Sequence, residues 1–426
     1  MTRALYTLLW WVGMPLVLMR LVWRARRQPE YLQHLAERFG KAPLSGIRPC
    51  IWLHAVSVGE TRAAQPLIKA LLERFPDHDL LLTHMTPTGH ATGAELFGGE
   101  ARVRQSYLPY ELPWALRRFL QRARPQVGII METEIWPNLL AAARTANIPM
   151  MLANARLSAR SARGYQRLGR LARNAIECFA IIGAQSEADA QRLQSLGARN
   201  VVVTGNIKHD VEISAELLER GTKFRASCKH RPVLLAAITR EGEEELLLDA
   251  FTKHATPEVL LVLVPRHPQR FDEVAQLVER RGLTLARRSQ TDSIPDTVRV
   301  WLGDSMGEMV AYYRMADVAI MGGSWLPLGG HNLIEACAVG VPVIVGPHTF
   351  NFAEAADKAI EAGAALLCQD ADAAVVKAIE LMNDAATRNV MARAGLHFTT
   401  EHRGATLKTL NILPYGQTAI NVSRPQ

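Results

Sequence analysis

The chain of 426 residues is long enough for two or three domains, and its 48% hydrophobic against 21% charged residues excludes a disordered protein. The formal net charge of +8 favours acidic partners, which include phosphates, nucleic acid and an anionic membrane surface. Five cysteines are dispersed without C-x-x-C spacing, which argues against a disulfide framework or a zinc site.

The N-terminal segment predicts a membrane anchor at 1–27. Residues 4–23, ALYTLLWWVGMPLVLMRLVW, form an apolar run that just suffices to span a bilayer if Arg20 snorkels to the headgroups. The arginines that follow it, Arg24, Arg26 and Arg27, keep the remaining chain on the cytoplasmic side and replace the small-residue cleavage site of a signal peptide. A buried or interfacial helix is the alternative. Both alternatives predict a protein at the inner face of a membrane with a single anchor.

The rest of the chain alternates between strand-like and helix-like runs. Strand-like runs are CIWLHAVS, DLLLTHMT, VRQSYLP, VGIIMETE, MMLANAR, FAIIGAQ and NVVVTGN, followed after a polar stretch at 210–231 by PVLLAAIT, EVLLVLVP, TVRVWLGD, DVAIMGG and VPVIVGP. Helical patterns such as 61–75, 111–122 and 137–145 separate them, and a final helical stretch is expected at 371–402. This alternation predicts an α/β protein with two Rossmann-like doubly wound domains, at 28–208 and 209–426.

Candidate ligand-binding residues of the second domain follow its strands, because ligands of open α/β sheets bind at the carboxyl ends of the strands. Arg266 and His267 follow one strand and are suited to neutralise a phosphate. The stretch GGHNLIEA places Asn332 at a helix start, where backbone N–H groups favour an anion. A capping box between Asn332 and Glu335 explains that spacing equally well. Gly307 and Glu308 lie in a third strand-end loop, in which Ser305 is a possible helix cap.

Candidate catalytic residues of the first domain begin with Glu60, in HAVSVGE between a strand and a helix. A carboxylate held there is a candidate general base, and a helix N-terminus is expected to keep it ionised. The spacing from Ser57 to Glu60 is also that of a capping box. That alternative leaves Gly59 unexplained, since glycine weakens the first helical turn but leaves room for a substrate.

Two further strand-end motifs of the first domain carry charge. METEIWPN contributes Glu132 and Glu134, and GNIKHD contributes Lys208 near the domain joint. A lone lysine is more often a surface charge. Beside a hinge it is a candidate for stabilising charge in a transition state.

Together these motifs resemble those of the transferases of 3-deoxy-D-manno-octulosonic acid (Kdo) from lipopolysaccharide biosynthesis. HAVSVGE, TPTGH, METEIWPNLL, GNIKHD, PRHPQRF and GGHNLIEACAVGVPVIVGPHTFNF match the family in order and spacing. The resemblance implies a glycosyltransferase B fold and an inverting transfer of Kdo from CMP-Kdo to lipid IVA. It implies a bacterial inner-membrane location with the catalytic domains in the cytoplasm, and neither a cofactor, a metal nor a nucleic-acid partner.

The resemblance also implies roles for particular residues. Glu60 would be the general base, while Lys208 and a glutamate of METE, Glu132 rather than Glu134, would stabilise the transition state. The residues matching the family's donor-nucleotide site are Arg266, His267, Gly307, Glu308, Met309, Asn332, Leu333, Ile334 and Glu335.

One stretch departs from the family pattern. In AAITREGEEE, Ile238 and Arg240 stand where the family has smaller or polar residues, so the role of this loop stays open. The rival hypotheses are another membrane-associated nucleotide-sugar enzyme of the same fold and a non-catalytic protein that binds lipid A. The anchor argues against a soluble epimerase, and the retention of Glu60 and Lys208 argues against the non-catalytic alternative.

Overall fold

The computed structural model describes residues 1–26, 28–42, 48–210, 213–291, 293–401 and 403–416. The chain divides into two compact units, the first formed by residues 1–210 with the segment from Arg403, and the second by the residues between them. Each described unit contains one seven-stranded parallel sheet with helices packed on its faces. The predicted α/β class with two doubly wound domains is therefore confirmed.

The first unit contains seven strands and eight helices before the chain enters the second. The strands are β1 (Cys50–His54), β2 (Asp79–His84), β3 (Val103–Tyr107), β4 (Pro125–Met131), β5 (Met150–Ala155), β6 (Phe179–Ala184) and β7 (Val201–Val203). The helices are α1 (Arg3–Ala25), α2 (Val58–Arg74), α3 (Pro87–Phe97), α4 (Pro113–Ala123), α5 (Pro137–Thr145), α6 (Ala159–Leu168), α7 (Arg170–Ile176) and α8 (Glu187–Ser195).

The second unit repeats this alternation. Its strands are β8 (Val233–Thr239), β9 (Leu260–Pro265), β10 (Leu285–Arg287), β11 (Val300–Leu302), β12 (Val318–Met321), β13 (Val343–Val345) and β14 (Ala365–Leu367). Its helices are α9 (Ala215–Ser227), α10 (Glu243–His254), α11 (Phe271–Arg280), α12 (Met309–Met315), α13 (Ile334–Val339), α14 (Ala353–Glu361), α15 (Ala371–Asn383) and α16 (Ala385–Glu401).

The chain returns to the first unit at its C-terminal end. Helix α17 (Ala405–Asn411) packs on α2, and the carboxylate of Asp210 accepts hydrogen bonds from the backbone N–H groups of Gly404 and Thr406. The sequence prediction placed this segment in the second domain and the boundary after Lys208. The structure instead divides the chain after Asp210 and adds the C-terminal segment to the first unit.

Strand order locates the point in each sheet where a ligand is expected. The order is β3-β2-β1-β4-β5-β6-β7 in the first sheet and β10-β11-β9-β8-β12-β13-β14 in the second. In both, the chain builds outward from one strand and then returns to its other side, which creates a topological switch point. That point lies between β1 and β4 in the first unit and between β8 and β12 in the second.

Both faces of each sheet are buried, which explains why the strands read as continuous apolar runs. In the first unit, Trp52 and Leu152 pack in the cluster on one face, and Leu53 and Ile129 pack in the cluster on the other. The second sheet is likewise covered on two faces by separate clusters. The helices that cover these faces leave the carboxyl ends of the strands for the loops that carry the candidate residues.

Helix α1 is long and apolar enough to cross a membrane. It nevertheless contacts the first unit along its length. The Met1 amino group donates to Leu168 O, Thr7 is hydrogen-bonded to Asn138, and Met14 packs in a cluster with residues around Tyr110. The opposite face is exposed and apolar, and it carries Leu5, Leu8, Leu9, Val12, Leu16, Met19 and Val22.

Several local predictions were wrong for identifiable reasons. The short strands β10 and β14 were not predicted, because three residues at a sheet edge carry little apolar pattern. Helix α9 lies within the stretch interpreted only as a polar joint. The helix predicted to start at Glu111 starts at Pro113, and the Glu111 carboxylate instead accepts hydrogen bonds from the N–H groups of Asn138 and Leu139 in α5.

Candidate active site

Glu60 lies in the first turn of α2, at the switch point of the first sheet. Its Oε2 accepts a 2.7 Å hydrogen bond from the N–H of Val56, and its backbone N–H points at Ser57 Oγ 3.5 Å away. Ser57 is the N-cap of the helix. The capping-box interpretation is therefore partly right: Glu60 Oε1 accepts from Ser57 Oγ at 3.5 Å, but Oε2 bonds the N–H of Val56 rather than that of the cap residue.

The protonation equilibrium of Glu60 differs from the prediction. Burial, together with the neighbouring carboxylates of Glu132 and Glu134, raises the pKa of Glu60 to about 7. The Val56 N–H and the Lys208 ammonium act in the opposite direction without cancelling the effect. The helix N-terminus was expected to keep this carboxylate ionised, but desolvation opposes that effect, and a pKa of about 7 leaves the group about half ionised at neutral pH. A carboxylate with a pKa near 7 is well matched to general-base catalysis.

The TPTGH loop packs directly against the Glu60 loop. Thr86 caps α3 by accepting from the N–H of Gly89, and its hydroxyl donates to Val56 O at 3.3 Å. A side chain at Gly89 would lie 3.2 Å from Val56 O and 3.4 Å from Ser57 C. Glycine is therefore needed here for the two loops to approach each other. By contrast, Gly59 is exposed and nothing lies closer than 4.0 Å to the position of its missing Cβ.

Glu132 and Lys208 form an ion pair beside Glu60. Lys208 Nζ lies 2.8 Å from Glu132 Oε1, and both side chains are only partly exposed. Lys208 lies in a short 3₁₀ turn, Ile207–His209, and Glu132 directly follows β4. Residues 76 positions apart in sequence are thus brought together by the parallel sheet.

The backbone that carries this pair is held in unusual conformations. Glu132 has φ = 58° and Asn154, at the end of β5, has φ = 53°. A non-glycine residue in this region costs about 1–3 kcal/mol unless its surroundings impose it. Asn154 is fully buried, and its Oδ1 accepts from the N–H of Ile207, which fixes the turn that presents Lys208.

Glu134 stands apart from the ion pair. Burial raises its pKa, and the charge of Glu132 also raises it. Among the described residues Lys208 forms its ion pair with Glu132 and not with Glu134. This geometry favours Glu132 as the functional glutamate of METE, as the sequence analysis did.

In the second unit, a buried carboxylate joins the loops at the switch point. Glu243 is fully buried, and its Oε2 accepts from the N–H groups of Arg240 and Gly323 at 2.9 and 2.6 Å. Its Oε1 accepts from the N–H of Trp325. Next to it, Glu244 forms a bidentate ion pair with Arg270. Glu243 and Glu244 of the REGEEE stretch therefore hold the loops in place rather than face a ligand.

Arg266 and His267 lie at the end of β9, next to β8. The N–H of Arg266 donates to Thr239 O at 2.9 Å, which ties the two strand-end loops together. Burial lowers the pKa of His267, and the charges of Arg240, Arg266 and Arg270 lower it further. His267 is therefore neutral at pH 7, and the arginines supply the positive charge of this site.

The GGHNLIEA segment differs in detail from the prediction. Helix α13 starts at Ile334 rather than at Asn332, and Leu333 occupies the N-cap. Asn332 Oδ1 accepts from the N–H of Ile334 at 3.1 Å. Glu335 is not part of a capping box. Burial raises its pKa, and no described residue donates a hydrogen bond to its carboxylate.

The loop after β11 presents Gly307, Glu308 and Met309 at the start of α12. Gly307 has φ = 79°, a left-handed conformation that glycine adopts without strain. The Glu308 carboxylate is buried and is bonded to Arg220, Arg288 and Ser305. Ser305 therefore bonds Glu308 and does not cap the helix. Because the Glu308 carboxylate is fully occupied by these three partners, the backbone of the loop is the part that can bind a ligand.

Sequence reasoning missed Asn154 and His331, which the structure places at these sites, and it left the role of the loop bearing Arg240 open. Asn154 carried the signal of an asparagine at a strand end, a residue that tolerates the left-handed region. His331 precedes Asn332 in the glycine-rich loop, and its ring lies about 3 Å from the position of a Cβ on Gly323. In the part of the chain that the structure describes, no group of three or more His, Cys, Asp or Glu side chains is arranged to hold a metal ion.

Two doubly wound units with candidate residues at both switch points are the architecture of the glycosyltransferase B fold. A glycosyltransferase from Rickettsia africae shares the fold, with a TM-score of 0.55 over 87% of this chain and 98% of that one at 14% identity. A UDP-GlcNAc 2-epimerase from Neisseria meningitidis shares it too, with a TM-score of 0.54 over 85% and 99% at 16% identity. At these identities the likeness shows the fold alone.

Sequence relatives identify the family. The family described as 3-Deoxy-D-manno-octulosonic-acid transferase matches residues 33–211, and Glycosyl transferases group 1 matches residues 235–398. The 3-deoxy-D-manno-octulosonic acid transferase of Bordetella pertussis is 47% identical over 97% of this chain and 99% of its own length. That of Haemophilus influenzae is 38% identical with the same coverage. The chain belongs to the Kdo transferase family of glycosyltransferases.

Proposed function

We propose that this protein transfers Kdo from CMP-Kdo to lipid IVA in lipopolysaccharide biosynthesis, with inversion and with Glu60 as the general base. Family membership supports the transfer of Kdo. The observation that carries the mechanism is Glu60 itself, a partly buried carboxylate with a pKa of about 7 at the switch point of the first sheet.

The reaction follows from the chemistry of the two substrates. The acceptor hydroxyl attacks the anomeric carbon of Kdo and transfers its proton to the Glu60 carboxylate. The bond between that carbon and the phosphate oxygen breaks, and CMP leaves with the bonding electrons. Protonated Glu60 then releases its proton to water. Because the attack and the departure occur on opposite faces of the carbon, the configuration inverts.

The Lys208–Glu132 pair stabilises charge in the transition state. Glu132 holds the ammonium through the 2.8 Å contact, and Asn154 holds the backbone turn that carries it. Lys208 also keeps the pKa of Glu60 from rising further. A preorganised charge of this kind is worth more in a partly buried site than in water.

The donor binds to the second unit. Arg266 neutralises the phosphate at the end of β9, and the backbone N–H groups of Gly307 and Met309 offer further donors. Asn332, Leu333 and Ile334 form the entry to α13. The Glu335 carboxylate, which accepts no hydrogen bond from a described residue, is suited to accept one from a ribose hydroxyl.

The N-terminal helix holds the protein at the cytoplasmic face of the inner membrane. One face of α1 is attached to the rest of the first unit, by Met1 bonding Leu168 and by Met14 packing near Tyr110. The other face is exposed and apolar. A helix docked in this way is suited to lie in the plane of the interface rather than to cross the bilayer alone. Its placement brings the acid-base site of the first unit to the surface where a glycolipid acceptor is embedded.

The test is mass spectrometry of lipid IVA after incubation with CMP-Kdo and the purified full-length protein, with Glu60→Gln and the exposed helix control Glu73→Gln alongside. We expect a mass gain with the wild type and Glu73→Gln and none with Glu60→Gln. A gain with all three proteins would keep the transfer and remove Glu60 as the base. No gain with any of them would contradict the proposed substrates.

A further inference from the structure

Arg240 is the residue that the proposed mechanism leaves without a role. It follows β8, the central strand of the second sheet, and so lies at the switch point where α/β proteins bind their ligands. Its backbone N–H is held by Glu243 Oε2, which also holds Gly323 at the end of β12. The buried carboxylate of Glu243 therefore fixes the backbone position of Arg240.

Two residues at the ends of neighbouring strands, Arg266 after β9 and His331 after β12, lie near Arg240. Arg266 bonds the backbone of Thr239, the residue next to Arg240, and the His331 ring lies against Gly323. The His331 side chain is largely buried, and its Nε2 has no hydrogen-bond partner among the described residues. Burial lowers the pKa of His331 to about 4, and the nearby charges of Arg266 and Arg240 act in the same direction.

The nearby carboxylates of Glu243 and Glu244 are bonded to groups other than Arg240 side-chain atoms. Glu243 accepts three backbone N–H groups, and Glu244 is paired with Arg270. Within the described ranges no carboxylate forms an ion pair with Arg240. A guanidinium group such as that of Arg240, which forms no ion pair within the described ranges, is typical of a site that receives an anion.

We propose that Arg240 binds the carboxylate of the donor sugar, next to the phosphate bound by Arg266. This inference rests on the proposed function, because CMP-Kdo carries two anionic groups, the phosphodiester and the Kdo carboxylate. Two guanidinium groups at adjacent strand ends match the two anionic groups that the anomeric carbon of the donor carries. The unpaired Nε2 of His331 supplies a further polar contact between them.

The experiment measures donor binding without acceptor, using CMP-Kdo and CMP as probes for the wild type, Arg240→Gln and Arg240→Lys. Arg280→Gln, an exposed arginine at the end of α11, is the matched control. We expect Arg240→Gln to weaken CMP-Kdo binding about tenfold or more and to leave CMP binding within twofold, because CMP has no carboxylate. Arg240→Lys should recover part of the loss, and Arg280→Gln should behave as the wild type.

Two results overturn the assignment. Equal weakening of CMP and CMP-Kdo would place Arg240 on the nucleotide phosphate, and unchanged binding of both would remove it from the site. Transfer to lipid IVA is measured separately on the same preparations. A wild type that binds CMP-Kdo more tightly than CMP but transfers no Kdo overturns the proposed function while the Arg240 assignment stands.

Discussion

The two units place opposite chemistry at the same topological position. At the switch point of the first sheet stand three carboxylates, Glu60, Glu132 and Glu134, with Lys208 as the cation among them. At the switch point of the second, Arg240 follows β8 and Arg266 follows the neighbouring β9, and the nearby carboxylates of Glu243 and Glu244 hold the loops. The same position of the fold thus carries carboxylates in one unit and guanidinium groups in the other, which is the difference that the proposed division between proton transfer and anion binding requires.

The two sites also differ in how their loops are held. The first unit uses left-handed Glu132 and Asn154 at the ends of neighbouring strands. The second uses left-handed Ile238 at the end of β8 and the buried Glu243 carboxylate. A β-branched residue in this region is a true outlier, so the loop bearing Arg240 is kept in its conformation at a cost in stability.

The largest expected effect is on the pH dependence of turnover, compared between the wild type and Glu60→Gln, which tests whether the first unit transfers the proton through Glu60. Glu60 must be ionised to accept a proton, so wild-type kcat should fall tenfold per pH unit below about 7 and level off above it. Glu60→Gln should lose about 10²–10⁴-fold in kcat and lose that acid limb. If the acid limb of the pH profile is unchanged in Glu60→Gln, a group other than Glu60 causes it.

The second prediction concerns the ion pair and its effect on Glu60. Lys208→Met should lower kcat about 10²-fold and move the acid limb to higher pH, because the lysine lowers the pKa of Glu60. Glu132→Gln should move the limb to lower pH, because that carboxylate raises the same pKa. Rate profiles of both variants test the opposite signs, and shifts in the same direction would contradict the arrangement.

The third prediction separates donor binding from proton transfer. Arg266→Gln should weaken CMP binding about tenfold, the effect of losing one charge-assisted hydrogen bond, and leave the acid limb of the pH profile in place. Calorimetric titration with CMP provides the measurement, with Arg280→Gln as the control. Tight CMP binding in Arg266→Gln would remove this arginine from the donor site.

The smallest expected effect is at Gly59. Nothing approaches the position of its missing Cβ, so Gly59→Ala should raise the free energy of unfolding by about 0.5–1 kcal/mol through helix propensity. If the glycine leaves room for the acceptor, the KM for lipid IVA should rise severalfold while CMP binding is unchanged. Greater stability with an unaltered KM would leave Gly59 without a role in acceptor binding.

Much of the fold could be predicted from the sequence, because buried parallel strands are strong apolar signals. The twelve longer or more apolar strands were found, whereas β10 and β14 were not. The return of α17 to the first unit depends on Asp210 binding backbone groups almost 200 residues away, which local patterns do not reveal.

The candidate site could be predicted only in part. Glu60, Lys208 and Arg266 stood out because they follow strands, but the pKa of Glu60 depends on burial that the sequence does not show. The left-handed conformation of Ile238 contradicts its local preference and is imposed by its surroundings. His331 and Arg240 are separated by about 90 residues and meet only because β8 and β12 are neighbours.

The central claim is that the first unit performs proton transfer while the second binds the donor. The most direct test is the dissociation constant of CMP for Glu60→Gln, measured on a preparation that is also assayed for transfer. The account predicts wild-type CMP affinity, within twofold, together with loss of transfer. Loss of CMP affinity along with transfer, or full transfer by the variant, would contradict it.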